Sequence, residues 1–343
     1  MNKLFDISII IPHYKETEEI LRFNLSMIEN QVGINLSRVE VLIVNDGPNA
    51  YELSKDFLDG FKSLYIKQYR TKENVGPGGA RNYALRRALG EYVIFSDCDD
   101  GFATTAALYN FFTMTKNHKP DMIVSPFLYE QMTDNGTSVI KTQENKGTWI
   151  HGKIFKKSKL KDLGLYFDES IRYNEDTYYN IILKTNKLER VCLPYSWYMT
   201  RLANKDSMCK SLDKDNDQVL TSQYLLAVSK AIQFMRQHPD MYDDEVISDT
   251  FYNTLVFSYI LLKVGNFTDI SAILDSFLEY FASNFDIFNT LTDEYKSKEF
   301  PDNVTNYLET TINDILHTMP ILKDETYITM ETFIKDELKK RVA

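Results

Sequence analysis

The first hundred residues alternate strand-like and helix-like hydrophobic patterns. Continuous runs of apolar and β-branched residues predict strands at residues 7–11, 39–44, 64–69 and 91–96. Between these runs, apolar residues recur at helical spacing, which predicts helices over residues 17–30, 50–62 and 79–89. Alternation of this kind is typical of βαβ units. We therefore expect an α/β fold with a mostly parallel sheet.

The pattern changes twice further along the chain. Residues 122–143 contain two apolar stretches around Asp134-Asn135-Gly136, which predicts an antiparallel hairpin that extends the sheet. Residues 202–217 are polar and lack periodicity, as in a linker. Helical spacing then predicts helices at residues 217–237, 246–264, 269–283, 303–318 and 326–341. We expect two domains, an α/β domain over residues 1–211 and an all-helical module over residues 212–343.

Charge and composition narrow the classes of function. The 343-residue chain has a net charge of −10, and residues 222–343 hold 20 acidic against 10 basic residues, leaving 29 of each before them. This excess argues against nucleic acid or anionic lipid as a partner of the last third, although an acidic surface also simply aids solubility. The three cysteines are scattered, no apolar run is long enough to span a bilayer, and the start lacks a signal-peptide cleavage site. We expect a cytoplasmic protein.

Polar residues follow three of the four predicted strands, where ligands of open α/β sheets bind. They are Pro12-His13-Tyr14, Asn45-Asp46-Gly47 and Asp97-Cys98-Asp99-Asp100. The last group places three carboxylates within four residues, and they repel one another unless a cation is bound. Mg²⁺ and Mn²⁺ prefer oxygen ligands and share them with phosphates. The group predicts a metal–diphosphate site, with an ordinary acidic surface turn as the alternative.

Three further segments carry candidate chemistry. The glycine-rich turn from Asn74 to Asn82 opens a helix and suits an anion, although close packing also explains its glycines and its spacing is that of neither a dinucleotide fingerprint nor a P-loop. Glu175 and Asp176 lie at the start of another predicted helix. They are candidates for a general base, or they are simply acids favoured in the first turn of a helix. The lysines at 153, 156, 157, 159 and 161 suit a phosphate or a solvated helix face.

Taken together, these segments resemble the family 2 glycosyltransferases of the GT-A fold. The resemblance rests on SIIIPHYKE, EVLIVNDGP, NVGPGGARN, YVIFSDCDD, GKIFKKSKL with GLYFDESIRYNEDTYY, and YSWYMTR, in family order over residues 7–201. It implies a Rossmann-like sheet with helices on both faces and a DxD metal motif. It also implies an inverting transfer from a nucleotide-sugar, with UDP as the expected nucleotide.

The resemblance also implies roles for individual residues. Asp46 would bind the base, with Pro12 and Tyr14 lining its pocket. Asp97 would reach the ribose, Asp99 with Asp97 would bind Mn²⁺ or Mg²⁺, and Asp176 would be the catalytic base beside Glu175. Further donor contacts are expected from Asn74, Gly78, Arg81, Lys153 and Arg201. The YSWYMTR segment holds no histidine, so the histidine that some relatives use as third metal ligand is not evident.

The sequence thus predicts a metal-dependent glycosyltransferase that acts on a carbohydrate or other hydroxyl acceptor. The candidate acceptors are a cell-surface glycan, a polysaccharide, a teichoic acid, a protein and a modified nucleobase. A nucleotidyltransferase with a similar sheet and a non-catalytic nucleotide-sugar-binding module are the alternatives. The aromatic residues of the last third suit a packed helical core, and this module is also a candidate homodimer interface.

Overall fold

The computed structural model describes residues 5–133, 136–145, 149–185, 187–195, 197–200 and 214–264, with individual residues between 276 and 287. The chain divides into two compact units, Met1–Ser211 and Leu212–Ala343. The first unit contains strands and helices, and the described part of the second is helical.

The strands of the first unit form two sheets. Their bounds are β1 Phe5–His13, β2 Val39–Asn45, β3 Tyr65–Arg70, β4 Gly90–Phe95, β5 Gly101–Phe102, β6 Met122–Val124, β7 Phe127–Met132, β8 Ser138–Gln143, β9 Lys153–Lys156, β10 Arg190–Cys192 and β11 Tyr198–Thr200. The main sheet has the order β10-β6-β9-β4-β1-β2-β3. Strands β1 to β4 are parallel, whereas β9 runs antiparallel to both of its neighbours. The predicted α/β fold is confirmed.

The helices have the bounds α1 Glu18–Glu29, α2 Lys55–Asp59, α3 Gly76–Leu85, α4 Ala107–Asn117, α5 Lys157–Asp162, α6 Glu175–Ile182, α7 Lys214–Gln237 and α8 Asp244–Val264. Helix α2 is shorter than the predicted span of 50–62, because Ser54 caps its start by accepting from the N–H of Phe57 and Gly60 follows its end. The predicted helices at 303–318 and 326–341 lie outside the described residues.

Strand β1 lies inside the main sheet, between β4 and β2. Eight of its nine residues are buried, as expected of a parallel strand covered on both faces. Its alternate residues Ile7, Ile9 and Ile11 belong to one hydrophobic core with the apolar stripe of α1, which comprises Leu21, Leu25 and Ile28. The alternate side chains of β1 and the apolar stripe of α1 therefore pack in the same core, as the spacing of these residues in the sequence indicates.

The predicted position of the hairpin is wrong. Strands β7 and β8 are antiparallel, as expected, but they belong to a separate four-stranded sheet of order β5-β11-β7-β8. The second neighbour of β7 is β11, which aligns Phe127 with Tyr198 and buries both side chains. This pairing removes the apolar area of both rings from water, which stabilises the separate sheet.

In the second unit, α7 and α8 bury apolar side chains. Leu225, Val228 and Ile232 of α7 are buried, as are Phe251 of α8 and Tyr280. The rings of Phe251 and Tyr280 stack with centroids 5.7 Å apart, which supports the packed-core interpretation for these aromatics. Among the described helices, none combines the length and apolar character needed to cross a membrane.

Candidate functional site

The acidic turn after β4 is held by a side chain from α1. The amide nitrogen of Asn24 lies 2.9 Å from each of three acceptors, the hydroxyl of Ser96 and the backbone oxygens of Asp97 and Asp100. Asn24 is buried, so these hydrogen bonds are shielded from water. The turn is therefore shaped by a residue that lies far from it in sequence.

Tyr198 of β11 supports the same turn from another side. Its hydroxyl accepts from the N–H of Asp97 at 3.1 Å and donates to Oδ2 of Asp100 at 3.0 Å. Burial raises the pKa of Tyr198 well above its ordinary value, so the hydroxyl stays protonated. Trp197 beside it is buried and stacks on Phe102. The rings of Trp197 and Tyr198 are therefore part of the packed core.

Asp97, Asp100 and His151 form a candidate metal group. Within the described part of the chain, one potential ligand atom from each lies within 4.8 Å of the others. Asp99, the expected ligand, does not belong to this group. His151 is buried, and its Nε2 has no hydrogen-bond partner among the described residues. Burial lowers the pKa of His151 to about 4, which leaves the neutral imidazole that metals bind.

Arg81 of α3 joins the acidic turn to the start of α6. It is 4% exposed and forms ion pairs with Asp97 at 2.7 Å and Glu175 at 2.6 Å. Its guanidinium also lies over the ring of Phe167. Burial alone would lower the pKa of Arg81, but the charges of Asp97 and Glu175 raise it. Both Nη groups of this expected donor contact are therefore used within the protein.

Asp176 lies in the first turn of α6, next to Glu175. The preceding residue, Asn174, has a left-handed backbone with φ of 62°, which asparagine tolerates better than most residues. Burial and the charge of Glu175 together raise the pKa of Asp176 to about 7, against the opposing charge of Arg81. Asp176 therefore has the pKa of a general base that works near neutrality.

Lys153 begins β9 and is buried. Its ammonium donates to the backbone oxygen of Trp149 at 2.6 Å and to Oδ1 of Asn180, whose own amide nitrogen donates to the backbone oxygen of Asp176. Burial lowers the pKa of Lys153 to about 7, while the charge of Asp176 raises it. Lys153 thus connects β9 to α6.

Three of the other four lysines of the predicted basic cluster have partners within the first unit. Lys156 and Lys159 lie 3.9 and 3.5 Å from carboxylate oxygens of Asp121, and Lys157 donates to the backbone oxygen of Ala88. These contacts favour a structural role for the cluster.

Asp46 holds the glycine-rich turn. Its Oδ1 accepts from the N–H of Val75 at 2.8 Å and its Oδ2 from the N–H of Gly76 at 2.9 Å. Burial raises the pKa of Asp46, and the two backbone hydrogen bonds oppose that shift. Asn74 is exposed, and its Oδ1 accepts from Arg172 at 3.1 Å.

The contacts of Gly78 favour close packing, the alternative to anion binding, as the reason for a glycine in this turn. A Cβ at this position would lie 3.0 Å from Cβ of Phe167 and 3.1 Å from Cγ of Glu175. Glycine therefore allows α3 to approach the start of α6, which keeps Arg81 within reach of Glu175.

The structure brings together many of the predicted site residues. The buried guanidinium of Arg81 has three carboxylates around it, those of Asp97, Glu175 and Asp176. Pro12 and Tyr14 are half-buried at the end of β1. Strand β1 pairs with β2, and Asp46 directly follows β2. Arg201 lies outside the described residues. Sequence reasoning missed Asn24 and His151, because both act through contacts with residues distant in sequence.

Comparison with known proteins identifies the first unit. Residues 8–170 match the family model described as glycosyl transferase family 2. The poly(ribitol-phosphate) beta-glucosyltransferase of Bacillus spizizenii is 28% identical over 206 residues, covering 56% of this chain and 32% of that protein. The minor teichoic acid biosynthesis protein GgaB of Bacillus subtilis is 28% identical over 199 residues, covering 53% and 21%. The chain thus spans about a third or less of these relatives' lengths.

Solved structures are similar to this chain in fold. The crystal structure of Staphylococcus aureus TarS 1–349 superposes with a TM-score of 0.62 at 18% identity, covering 81% of each chain. The complex of the same segment with UDP-GlcNAc gives a TM-score of 0.61. At this identity the likeness concerns the fold. The first unit has the GT-A fold, and its residues 8–170 are similar to the members of glycosyltransferase family 2.

Proposed function

We propose that the chain is an inverting, metal-dependent glycosyltransferase that moves a sugar from a nucleotide-sugar to an acceptor hydroxyl. The observation that carries the proposal is the Arg81 bridge, which brings Asp97 of the acidic turn beside the Glu175-Asp176 pair. A UDP-sugar is the first candidate donor, because TarS has been crystallised with UDP and with UDP-GlcNAc. Cell-surface glycan, polysaccharide or teichoic acid is the candidate acceptor, because one relative is named a poly(ribitol-phosphate) beta-glucosyltransferase and another a minor teichoic acid biosynthesis protein.

The candidate metal group fits a divalent cation. Asp97, Asp100 and His151 would hold it, since two carboxylates and a neutral imidazole with an unpartnered buried nitrogen form a suitable ligand set. Imidazole favours transition metals, so Mn²⁺ suits this group better than Mg²⁺. When bound, the ion would neutralise charge on the departing nucleoside diphosphate. Asp99 remains the alternative ligand expected from the family resemblance.

Asp176 is proposed as the general base. The acceptor oxygen attacks the anomeric carbon from the face opposite the diphosphate, the bond to the diphosphate breaks, and the hydroxyl proton passes to the Asp176 carboxylate. Configuration at the anomeric carbon is therefore inverted. A pKa near 7 leaves much of Asp176 deprotonated at neutral pH while keeping it basic enough to accept the proton.

The ends of β1 and β2 are proposed to bind the nucleotide base, with Pro12 and Tyr14 at its edge. Both oxygens of Asp46 already accept backbone hydrogen bonds. Oδ1 also accepts from the hydroxyl of Thr71 at 3.2 Å, so direct recognition of the base by Asp46 would require Oδ2 to accept a second hydrogen bond, which carboxylates can do. The cytoplasmic location and a homodimer formed through the second unit remain predictions.

A thermal-shift panel tests this function. UDP-glucose, UDP-GlcNAc, GDP-mannose and CDP-ribitol are each added to the full chain with Mn²⁺ or with EDTA. A ligand that binds the folded state raises the apparent Tm by mass action, so we expect a UDP-sugar to raise it with Mn²⁺ only. Equal shifts with EDTA would contradict metal dependence, and no shift with any nucleotide-sugar would contradict the proposed function.

A further inference from the structure

Trp149 is an exposed indole beside the candidate metal group. It is 42% exposed, whereas the chain's other tryptophan, Trp197, is 2% exposed. One face of the Trp149 ring stacks on His151, with centroids 5.5 Å apart and planes 24° from parallel. The proposed reaction uses His151 but leaves this exposed ring without a role.

The position of Trp149 is fixed by buried groups. The buried ammonium of Lys153 donates to its backbone oxygen at 2.6 Å. Behind the indole, His151 stacks in turn on Tyr198, with centroids 5.3 Å apart and planes 8° from parallel. Tyr198 is hydrogen-bonded to Asp100. The indole is therefore the exposed end of a column of rings that reaches the acidic turn.

The strand order places Trp149 on a particular side of the site. Along the main sheet, β4 lies between β1 and β9. The proposed base pocket is at the ends of β1 and β2, and the acidic turn follows β4. Because β9 is antiparallel to β4, the start of β9 lies at the same edge as the end of β4. A donor that runs from base to diphosphate along this edge therefore has its sugar, and the incoming acceptor, toward Trp149.

We infer that Trp149 is a binding platform for a sugar ring of the acceptor, specifically a pyranose. One face of a pyranose carries C–H groups that can lie flat on an indole and remove apolar area from water. An acyclic alditol phosphate has no such face. The inference rests on the proposed function, since it concerns the acceptor side of the same site.

The kinetic test compares Trp149→Ala with Trp149→Phe and with a matched control, Tyr65→Ala. Tyr65 is also an exposed aromatic residue, at 48%. It belongs to β3, the last strand of the main sheet, which is separated from β9 by β4, β1 and β2. The assay measures UDP release from the donor identified in the thermal-shift panel, first alone and then with methyl pyranosides or with ribitol phosphate oligomers. Donor affinity of each variant is measured by calorimetry.

We expect a methyl pyranoside to stimulate UDP release by the wild-type protein. Trp149→Ala should lower kcat/KM for that acceptor by roughly tenfold or more, which corresponds to about 1.4 kcal/mol, with Trp149→Phe intermediate and Tyr65→Ala unchanged. Donor affinity and acceptor-independent hydrolysis should stay within about twofold in all three variants, because stacking of the acceptor does not contribute to either.

Fluorescence provides a second readout that does not depend on turnover. Because Trp197 is buried, acrylamide should quench mainly Trp149, and a bound pyranoside should protect it from quenching. The same titration of Trp149→Phe should show no protection.

Three results would overturn the inference. They are unchanged acceptor kinetics in Trp149→Ala, an equal loss of donor affinity in that variant, or a wild-type protein that hydrolyses donor but responds to no pyranoside. Each of these leaves the proposed function intact. Absence of donor binding by the wild-type protein would instead contradict the proposed function itself.

Discussion

Arg81 and Glu175 form a buried ion pair, with 2.6 Å between Nη1 and Oε1, and the other Nη of the same guanidinium pairs with Asp97. One cation therefore fixes the acidic turn after β4 against the start of α6. Arg81 is 4% exposed, so its removal would leave the buried carboxylate of Glu175 without its partner. Its positive charge also opposes the upward shift in the pKa of Asp176.

We predict that Arg81→Met both destabilises the protein and alters its pH dependence. Loss of one partner from a buried ion pair costs about 3 kcal/mol or more, which should lower the apparent Tm by roughly 5–10 °C. In addition, the pKa of Asp176 should rise, so the acidic limb of the kcat profile should move to higher pH. Arg81→Lys, which keeps the charge, should restore much of the pH profile.

The matched control is Arg86→Met. Arg86 directly follows α3 and pairs with Glu169 at 3.1 Å, but its side chain is 50% exposed. A surface pair of this kind contributes at most about 1 kcal/mol, so the apparent Tm should change little. Equal effects of the two substitutions would contradict the importance of the buried bridge.

The wild-type protein should lose activity as pH falls through about 7. A general base must be deprotonated, and the pKa of Asp176 is raised to about 7. The charged groups that act on it are Glu175, Arg81, Asp97 and Lys153. Lys153→Met removes a positive neighbour and should move the midpoint to higher pH. A profile of kcat that stays flat down to pH 5 would contradict the assignment of Asp176 as base.

Much of the fold was predictable because its core strands are encoded locally. Strand β1 is an unbroken buried run, and the stripe on α1 follows helical spacing, so each signal lies within a few neighbouring residues. The hairpin of β7 and β8 was also visible locally. Its sheet was not, because alternation identifies the faces of a strand and carries no information about which strand it pairs with.

The acidic residues of the site could be predicted from the sequence, whereas the residues that hold them in position could not. Asp97 and Asp176 stand in recognisable positions, after a strand and at the start of a helix. Asn24 and His151 act through contacts with residues distant in sequence, and neither has a local pattern that distinguishes it from an ordinary polar core residue. Arg81 was noticed, but its two carboxylate partners follow from the packing of α3 against α6.

Substitutions should distinguish the two candidate ligand sets. If Asp97, Asp100 and His151 hold the ion, then His151→Ala should weaken Mn²⁺ affinity by roughly tenfold or more, because even loss of a residue that only supports a ligand costs that much, while Asp99→Ala should have a smaller effect. Mn²⁺ binding is measured by electron paramagnetic resonance with donor present. The control is His118→Gln, at an exposed position directly after α4.

The opposite order of effects would favour the DxD ligand Asp99. Unchanged Mn²⁺ affinity in both His151→Ala and Asp99→Ala would contradict a metal site at this turn.

Asp46→Ala should loosen the glycine-rich turn. It removes the acceptor of two backbone N–H groups, those of Val75 and Gly76, at a cost of about 1–3 kcal/mol for each group left buried and unpaired. Hydrogen exchange of the peptide spanning residues 72–80 should therefore accelerate. Asp56→Asn, in the first turn of α2, is the control and should leave that peptide unaffected. Unchanged exchange in Asp46→Ala would show that other contacts hold the turn.

The most direct measurement combines calorimetry and single-turnover kinetics on Asp176→Asn with the donor and Mn²⁺. The substitution removes the base while preserving the size of the side chain. We predict donor affinity within about threefold of wild type and transfer slowed by roughly 10²–10⁴-fold, the contribution expected of a general base. Normal turnover of bound donor, with the loss confined to donor affinity, would contradict the account.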